Sequence, residues 1–537
     1  MRTGAGSRKP RAVAENGGAV LARMLVVVVV VGAVRLPAPG SGLLAQGDSL
    51  RGKAVYQKWC LGCHGETGEG NGPAAKYMLP PPRDFTRAVY QIRTTASGEL
   101  PTDADVERVV AEGMGGTAMP EWKSKLTAGE RKDVVAYVKT LSTFFQGATP
   151  KPLDFGRAPG SSAAGIAEGR KTFEKLECFK CHGLAGRGDG KSSPTQKDDW
   201  GAPIRAADLA QNWNFNGGGT VEDIYRRMRT GLDGTPMPSF SDVIESKIIT
   251  EEQLWRVAQY VRSLSPEKTP EVREVIRAVP TTGSLPPGPG DSAWAAVEKS
   301  WIPLVGQVIR KPRWFSPSVT GVWVQALHDG KSLAIRLSWD DRSNSPAPAW
   351  DEWLARVGQS ATDVDGPVPN QQGADRFWVE FPKQISDDAE RPYFLGGNSR
   401  RPVYLWRWTS APDSAEEGTG TALAQFAPLG GGSEVKHGAR YDGGQWQLQF
   451  TRALVPHDTV AAPSFAAGRA TPIAFFAADG SNGELETRGA VSAWYAIYLD
   501  VPTPPTVYVA PVVAVLLTAG LGFMVVWRAQ QRGRSAR

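Results

Sequence analysis

Cysteine, histidine and methionine are scarce in this chain: 537 residues hold 4 Cys, 5 His and 8 Met. Four cysteines cannot staple a chain of this length, so a disulfide scaffold is excluded. Methionine is absent from 238–523 altogether. Hydrophobic residues make up 41% and charged residues 22%, which excludes a largely disordered chain. The length exceeds what one core serves and implies about three domains. A formal charge of +6 would ordinarily suggest nucleic acid or an anionic surface. Here the excess sits at the two ends. Residues 1–45 carry +5 and 528–537 carry +4, leaving −3 on the stretch between. No nucleic-acid partner is expected.

The ends read as targeting devices. Arg2, Arg8, Lys9, Arg11 and Arg23 precede the apolar run Leu25–Val34, and Ala45 offers a cleavage position, so 1–45 is expected to be a signal sequence. From Val501 to Trp527 there is no charged residue. A transmembrane helix is expected over 505–527, long enough at about 1.5 Å per residue for a roughly 30 Å apolar layer. Arg528, Arg532, Arg534 and Arg537 follow as a cytoplasmic tail, 528–537. The expectation is a single-pass protein of the cytoplasmic membrane, its partner there the lipid bilayer and its large N-terminal part in the periplasm.

All four cysteines fall in two motifs, Cys60-Leu61-Gly62-Cys63-His64 and Cys178-Phe179-Lys180-Cys181-His182. This is C-x-x-C-H, the attachment signature of c-type haem, in which two thiols bond the porphyrin and the adjacent His ligates the iron. A redox C-x-x-C pair would not explain the following His. A shared zinc site does not suit pairs lying 118 residues apart. Two covalently bound haem c groups are therefore expected.

Met119 in Gly-Gly-Thr-Ala-Met-Pro and Met237 in Asp-Gly-Thr-Pro-Met-Pro each lie 55 residues after their His. A thioether on a Gly/Pro-shaped loop can reach the iron from the opposite face. Met78, Met114 and Met228 are expected to serve packing. The repetition extends to Gly68, Gly70 and Gly72 against Gly186, Gly188 and Gly190. Closing amphipathic helices are predicted over 128–141 and 251–264. Thr127 with Glu130 and Thr250 with Gln253 form their capping boxes. Tyr137 and Tyr260 suit either a haem face or the core.

These features resemble two class I cytochrome c domains, all-α, assigned to 46–145 and 165–268 with a linker at 146–164. The resemblance implies haem attachment at Cys60, Cys63, Cys178 and Cys181. It implies axial ligation by His64 with Met119 and by His182 with Met237.

A linker is assigned to 269–291, and beyond it the composition changes. Trp294 to Trp494 holds 12 of the 18 Trp. Strands are expected over Gly321–Leu327, Ser332–Trp339, Phe377–Phe381, Pro402–Trp408, Gln445–Phe450, Ile473–Phe476 and Tyr495–Leu499. A mainly β domain over 292–500, a sandwich, follows. Fragments such as "VQALHDGKSLAIRLSWDD" and "PYFLGGNSRRPVYLWRW" resemble the haem-binding ethylbenzene dehydrogenase gamma family. That resemblance implies a haem b held by Met and Lys and a molybdenum enzyme as partner. Where the family has these ligands, this chain has Leu395 and Gly489-Ala490. Haem b is therefore not expected, and His328, His437 and His457 are read as surface residues. The expected function is single-electron carriage to or from other redox proteins, within a larger oxidoreductase complex and without substrate catalysis by this chain alone. A redox-sensing or ligand-binding role for the β domain is the alternative.

Overall fold

A computed structural model describes residues 47–360, 365–385, 390–423, 425–501 and 506–535. The expected signal sequence, Ala45 included, lies outside the described residues.

The first helical domain is built from α1 (Ser49–Trp59), α2 (Leu61–His64), α3 (Asp103–Glu112) and α4 (Ala128–Thr140). The second repeats it with α5 (Ala163–Lys175), α6 (Phe179–His182), α7 (Val221–Thr230), a short α8 (Ser241–Glu245) and α9 (Glu251–Ser263). The closing helices lie where the pattern predicts them. Thr127 and Glu130 cap one reciprocally, and Thr250 and Gln253 cap the other. In each domain the first and last helices cross with backbones nearly touching. A Cβ added at Gly52 would lie 1.9 Å from the Asp133 carbonyl oxygen, and one at Gly169 would lie 2.0 Å from that of Arg256. Only glycine permits that approach.

The third domain contains β1 (Val275–Pro280), β2 (Ser300–Pro303), β3 (Val305–Gly306), β4 (Gly321–His328), β5 (Ser332–Asp340), α10 (Asp351–Ser360) and β6 (Arg376–Pro382). It continues with β7 (Val403–Ser410), β8 (Asp413–Ala422), β9 (Gln425–Pro428), β10 (Lys436–Asp442), β11 (Gln445–Ala453), β12 (Ala470–Ala478), β13 (Ala490–Val491) and β14 (Tyr495–Leu499). The strands run in the order β10-β11-β5-β4-β1-β14-β12-β6-β7-β8-β9. β12 joins two sheets: its first half pairs β14 and its second half pairs β6. Their inner faces meet in one aromatic core. Trp339 of β5 lies 4.6 Å from Phe377 of β6, and Trp408 of β7 lies 4.8 Å from Trp446 of β11 (ring centroids). This is the expected β sandwich.

Two expectations are corrected. The linker assigned to 269–291 contains β1, which lies between β14 and β4 and runs parallel to both. Its alternation, with Ile276 and Ala278 buried, is hidden among Pro- and Gly-rich neighbours. His328 is not a surface residue: it is 3% exposed, and its Nε2 faces the Asp500 carbonyl at 2.8 Å. His457 is exposed and His437 half-buried.

The last helix, α11 (Thr506–Ser535), includes Val507–Arg534, the stretch among the described residues that is long and apolar enough to cross a membrane. Its helical course continues through most of the Arg-rich tail.

Candidate haem centres

α1 ends as the Cys60 N–H donates to the Tyr56 carbonyl at 2.8 Å. One helical turn follows. The N–H groups of Cys63 and His64 both donate to the Cys60 carbonyl, at 3.2 and 2.9 Å. Gly65, at φ +82°, then turns the chain away. The second motif repeats this, with Cys181 and His182 bonded back to Cys178 at 3.3 and 3.0 Å. An i, i+3, i+4 pattern on one turn puts two thiols and one imidazole on a single side of the helix. All four cysteines are half-buried and none forms a disulfide. Burial pushes the Cys60 and Cys178 thiols up to about 12.

Both imidazoles are oriented from behind. His64 Nδ1 lies 3.0 Å from the Arg83 carbonyl, and His182 Nδ1 lies 3.0 Å from the Ala207 carbonyl. A carbonyl can only accept, so Nδ1 carries the proton and Nε2 keeps its lone pair for a metal. Phe85 stacks on His64 at 4.4 Å between ring centroids. Burial lowers the proton affinity of both rings, and for His182 the nearby Arg342 cation adds to that. Both are held in the neutral form that ligation needs.

The methionine loops are near-copies. Met114 N–H donates to the Met119 carbonyl, and Leu232 N–H to the Met237 carbonyl, both at 3.1 Å. Thr117 Oγ1 accepts from Met119 N–H and Thr235 Oγ1 from Met237 N–H, both at 3.2 Å. Each threonine hydroxyl also donates to the carbonyl at the loop's start, Met114 or Leu232. The thioether side chains of Met119 and Met237 are half-buried, whereas Met228 is 5% exposed in the second domain's core. Tyr137 packs on Tyr56 and Tyr260 on Phe173, with centroids 5.2 and 5.3 Å apart.

The donor set in each domain fits a haem c: two thiols, one pre-oriented imidazole and one loop thioether. The backbone around them is close-fitting. A Cβ at Gly72 would lie 2.5 Å from the Gly62 carbonyl oxygen, and one at Gly190 would lie 2.3 Å from that of Lys180.

Segments flanking the two sites are in contact. Arg83, whose carbonyl holds His64, lays its guanidinium 5.1 Å from the Trp200 ring of the second domain. The same ring lies against Gly234 in the Met237 loop, where a Cβ would meet it at 2.6 Å. Gly115 and Gly116 of the Met119 loop touch Trp213 and Asn214 of the second domain. A cleft lined by Gly113, Gly115, Trp213 and Phe215 runs between them. The β domain closes on the second site. Arg342 Nη2 donates to the Ala206 carbonyl at 3.3 Å, and Arg187 Nε donates to Asp340 at 2.8 Å.

Sequence reasoning missed Arg83, Ala207 and Trp200. The first two act through backbone carbonyls, which leave no side-chain signature. Their distance from the histidine also differs, 19 residues against 25.

Two haem c attachment turns, each in a cytochrome c-like helical domain, and the long apolar helix found among the described residues define a dihaem electron-transfer protein anchored in a membrane through that helix. Residues 47–138 match the family model described as cytochrome c oxidase, cbb3-type, subunit III, and residues 166–265 match that of cytochrome c. A Haloferax mediterranei protein, provisionally named as the haem subunit of a respiratory nitrate reductase, is 27% identical over 255 residues. That match covers 46% of this chain and 82% of the relative. Among solved structures, a chain of the Kuenenia stuttgartiensis reducing HAO-like protein complex is 42% identical. It matches with a TM-score of 0.39 over 41% of this chain and 99% of its own length. A family 9 carbohydrate binding module from Caldicellulosiruptor kristjanssonii is 12% identical, with a TM-score of 0.25, covering 43% of this chain and 96% of the module.

Proposed function

We propose that the chain is the membrane-anchored dihaem subunit of a respiratory oxidoreductase complex. In this reading His64 and Met119 ligate the first iron, and His182 and Met237 the second. Haem c supplies one-electron iron chemistry. The residues of the chain hold each group by two thioether bonds, fix the imidazole through Arg83 or Ala207, and exclude water from the pocket. The carrying observation is the apposition of segments from the two sites through Arg83, Trp200 and Gly234, which suits electron exchange between two neighbouring centres. The name of the Haloferax relative supports a partner of the nitrate reductase kind, a molybdopterin enzyme.

The arginines after the apolar helix favour the cytoplasmic side for that end, so the redox domains lie outside the cytoplasm. The third domain is read as a relative of the ethylbenzene dehydrogenase gamma family that has kept its fold and lost its haem b ligands. Leu395 is fully buried in an apolar cluster. At Gly489 a Cβ would lie 2.6 Å from both the Ala477 carbonyl oxygen and the Phe476 ring, which leaves no room for a lysine there. The domain then serves as a platform behind the second haem.

The test is a pyridine haemochrome assay on the purified full-length protein, combined with affinity purification from membranes. Two c-type haems, no b-type haem and a copurifying molybdenum subunit are expected. A stoichiometric b-type haem would refute the reading of the third domain. Recovery as a free cytochrome from gently solubilised membranes would refute the complex.

A further inference from the structure

Three carboxylates converge at the end of the β sandwich that meets the second cytochrome domain. Asp341 follows β5, Asp375 precedes β6 and Asp479 follows β12, so both sheets contribute. One oxygen from each lies within 4.8 Å of the others. The three residues are 1%, 0% and 2% exposed. Asp375 Oδ1 accepts from Gly480 N–H, and its Oδ2 accepts from Ser345 N–H and Trp446 Nε1. Asp479 Oδ1 accepts from the N–H and hydroxyl of Ser481. Asp341 Oδ1 accepts from Ser343 N–H at 3.2 Å, while its Oδ2 is sealed from solvent with no hydrogen-bond partner.

No direct ion pair neutralises this group among the described residues; the buried Arg205 guanidinium acts on Asp341, Asp479 and Glu484 only through space. Among the described residues no Lys or Arg forms an ion pair with Asp341, Asp375, Asp479 or the neighbouring buried Glu484. The hydrogen bonds of the nearby guanidinium groups go elsewhere, and the Nε–H groups of Arg342 and Arg376 are buried without a partner. Arg205 donates to Asn482 Oδ1 and Ser316 O, Arg342 to Ser318 Oγ and Ala206 O, and Arg376 to the carbonyls of Glu484 and Glu486. Glu484 is itself satisfied by Trp314, Ser318, Asn482 and Asp479 N–H. Burial and mutual repulsion push the Asp341 and Asp375 carboxyls up. Uncompensated buried charge is strongly unfavourable.

We infer that Asp341, Asp375 and Asp479 bind one calcium ion, which ties the ends of β5, β6 and β12 together. All donors are hard oxygens, with no His or Cys in the group, which disfavours zinc, copper and iron. Oxygens at about 2.3–2.6 Å from calcium stand up to about 5 Å apart across the ion, matching the observed spread. Magnesium holds its ligands at about 2.0–2.1 Å and retains several waters, for which this closed site is too dry. The hydroxyls of Ser343 and Ser345, 2.9 Å apart, lie beside the carboxylates as further oxygen donors. Asp340 and Arg342, the neighbours of Asp341 in the chain, contact Arg187 and Ala206 of the cytochrome domain. The ion therefore stiffens the surface behind His182.

The experiment uses the full-length protein in detergent, stripped with chelator and titrated with calcium chloride by calorimetry. Tryptophan fluorescence melts are recorded in parallel, with and without the ion. One high-affinity calcium per chain and a calcium-dependent rise in Tm are expected. Asp341→Asn should weaken binding by more than about tenfold and abolish that rise. In chelator its Tm should equal or exceed the wild-type value, because one repelling charge is gone. Asp375→Asn provides a second variant should the first not fold. Wild type with no bound calcium and the same Tm in chelator would overturn the proposal. So would magnesium binding as tightly as calcium, or full calcium binding by both variants.

Discussion

Arg93 of the first cytochrome domain is fully buried and donates to Asp233 of the second at 2.6 Å, and to the Thr230 carbonyl at 2.7 Å. Asp233 also accepts from the Ser97 hydroxyl and Gly98 N–H, at 3.0 and 2.9 Å. The remaining Arg93 protons go to the Tyr90 and Ala96 carbonyls of its own domain. One guanidinium thus fastens the domains at the point where the repeats diverge, since the position matching Asp233 in the first domain is Gly115. Breaking such a pair leaves an uncompensated buried charge. Asp233→Ala should destabilise the docked pair by about 3 kcal/mol or more. Chemical denaturation should then show the two cytochrome domains separating before either loses its methionine-ligand absorption. A single transition with unchanged midpoint would count against the fastening role.

Met119→Ala and Met237→Ala should act one at a time. Each should remove the thioether-to-iron absorption feature of one haem and shift one of two waves in a redox titration, leaving the other in place. The wave should move to lower potential on replacement with His, because imidazole favours the ferric state more than a thioether does. Retention of both features in either variant would exclude that methionine as a ligand, with Met114 or Met78 the next to substitute in the first domain and Met228 in the second.

The haem turns, the methionine loops, both closing helices and seven strands were legible because their signals are local. C-x-x-C-H occupies five consecutive positions, and a capping box needs four. The opposing contacts were not legible. Arg83 and Ala207 act through carbonyls at unequal spacing, and Trp200 gains its place only when the second domain docks. The three aspartates at 341, 375 and 479 are far apart in sequence and unremarkable singly; pairing of β12 with β6 and packing of the two sheets unite them. The span of β1 reads as linker because Pro on both sides and Gly after it mask a six-residue alternation.

Acid should unpick one clamp in the β domain. Asp365 accepts from Arg313 Nε at 2.7 Å and from its backbone N–H at 2.9 Å. The side-chain bond to Arg313 is the main cause holding the Asp365 carboxyl down at about 2. An unfolded aspartate titrates near 3.9. The folded value is depressed, so the stabilisation is present in full above about pH 4 and is lost as pH falls toward 2. Asp365→Asn should flatten that part of the stability–pH curve while leaving the neutral-pH slope unchanged. The check is urea unfolding between pH 2 and 5, and an identical slope for both proteins would rule out the clamp.

Gly52 and Gly169 offer the sharpest separation of the two cytochrome domains. Each sits on the first helix of its domain where the closing helix crosses it, facing a backbone carbonyl first and a tyrosine Cβ, of Tyr137 or Tyr260, beyond it. Side chains can rotate away from an added methyl; a carbonyl inside a hydrogen-bonded helix cannot. A Cβ at 1.9 or 2.0 Å therefore forces the helices apart. Overpacking in a core costs about 1–3 kcal/mol when neighbours can shift, and more when they cannot. The crossing also sets the position of the haem turn, because α1 runs directly into Cys60 and α5 ends three residues before Cys178. Gly52→Ala should lower incorporation of the first haem and spare the second, and Gly169→Ala should do the reverse. Haem stoichiometry, together with the methionine-ligand absorption assigned to each site by the Met119 and Met237 variants, reads this directly. Loss of both haems in either variant would mean that the domains fold as one cooperative unit, in which case Asp233→Ala should also cost both.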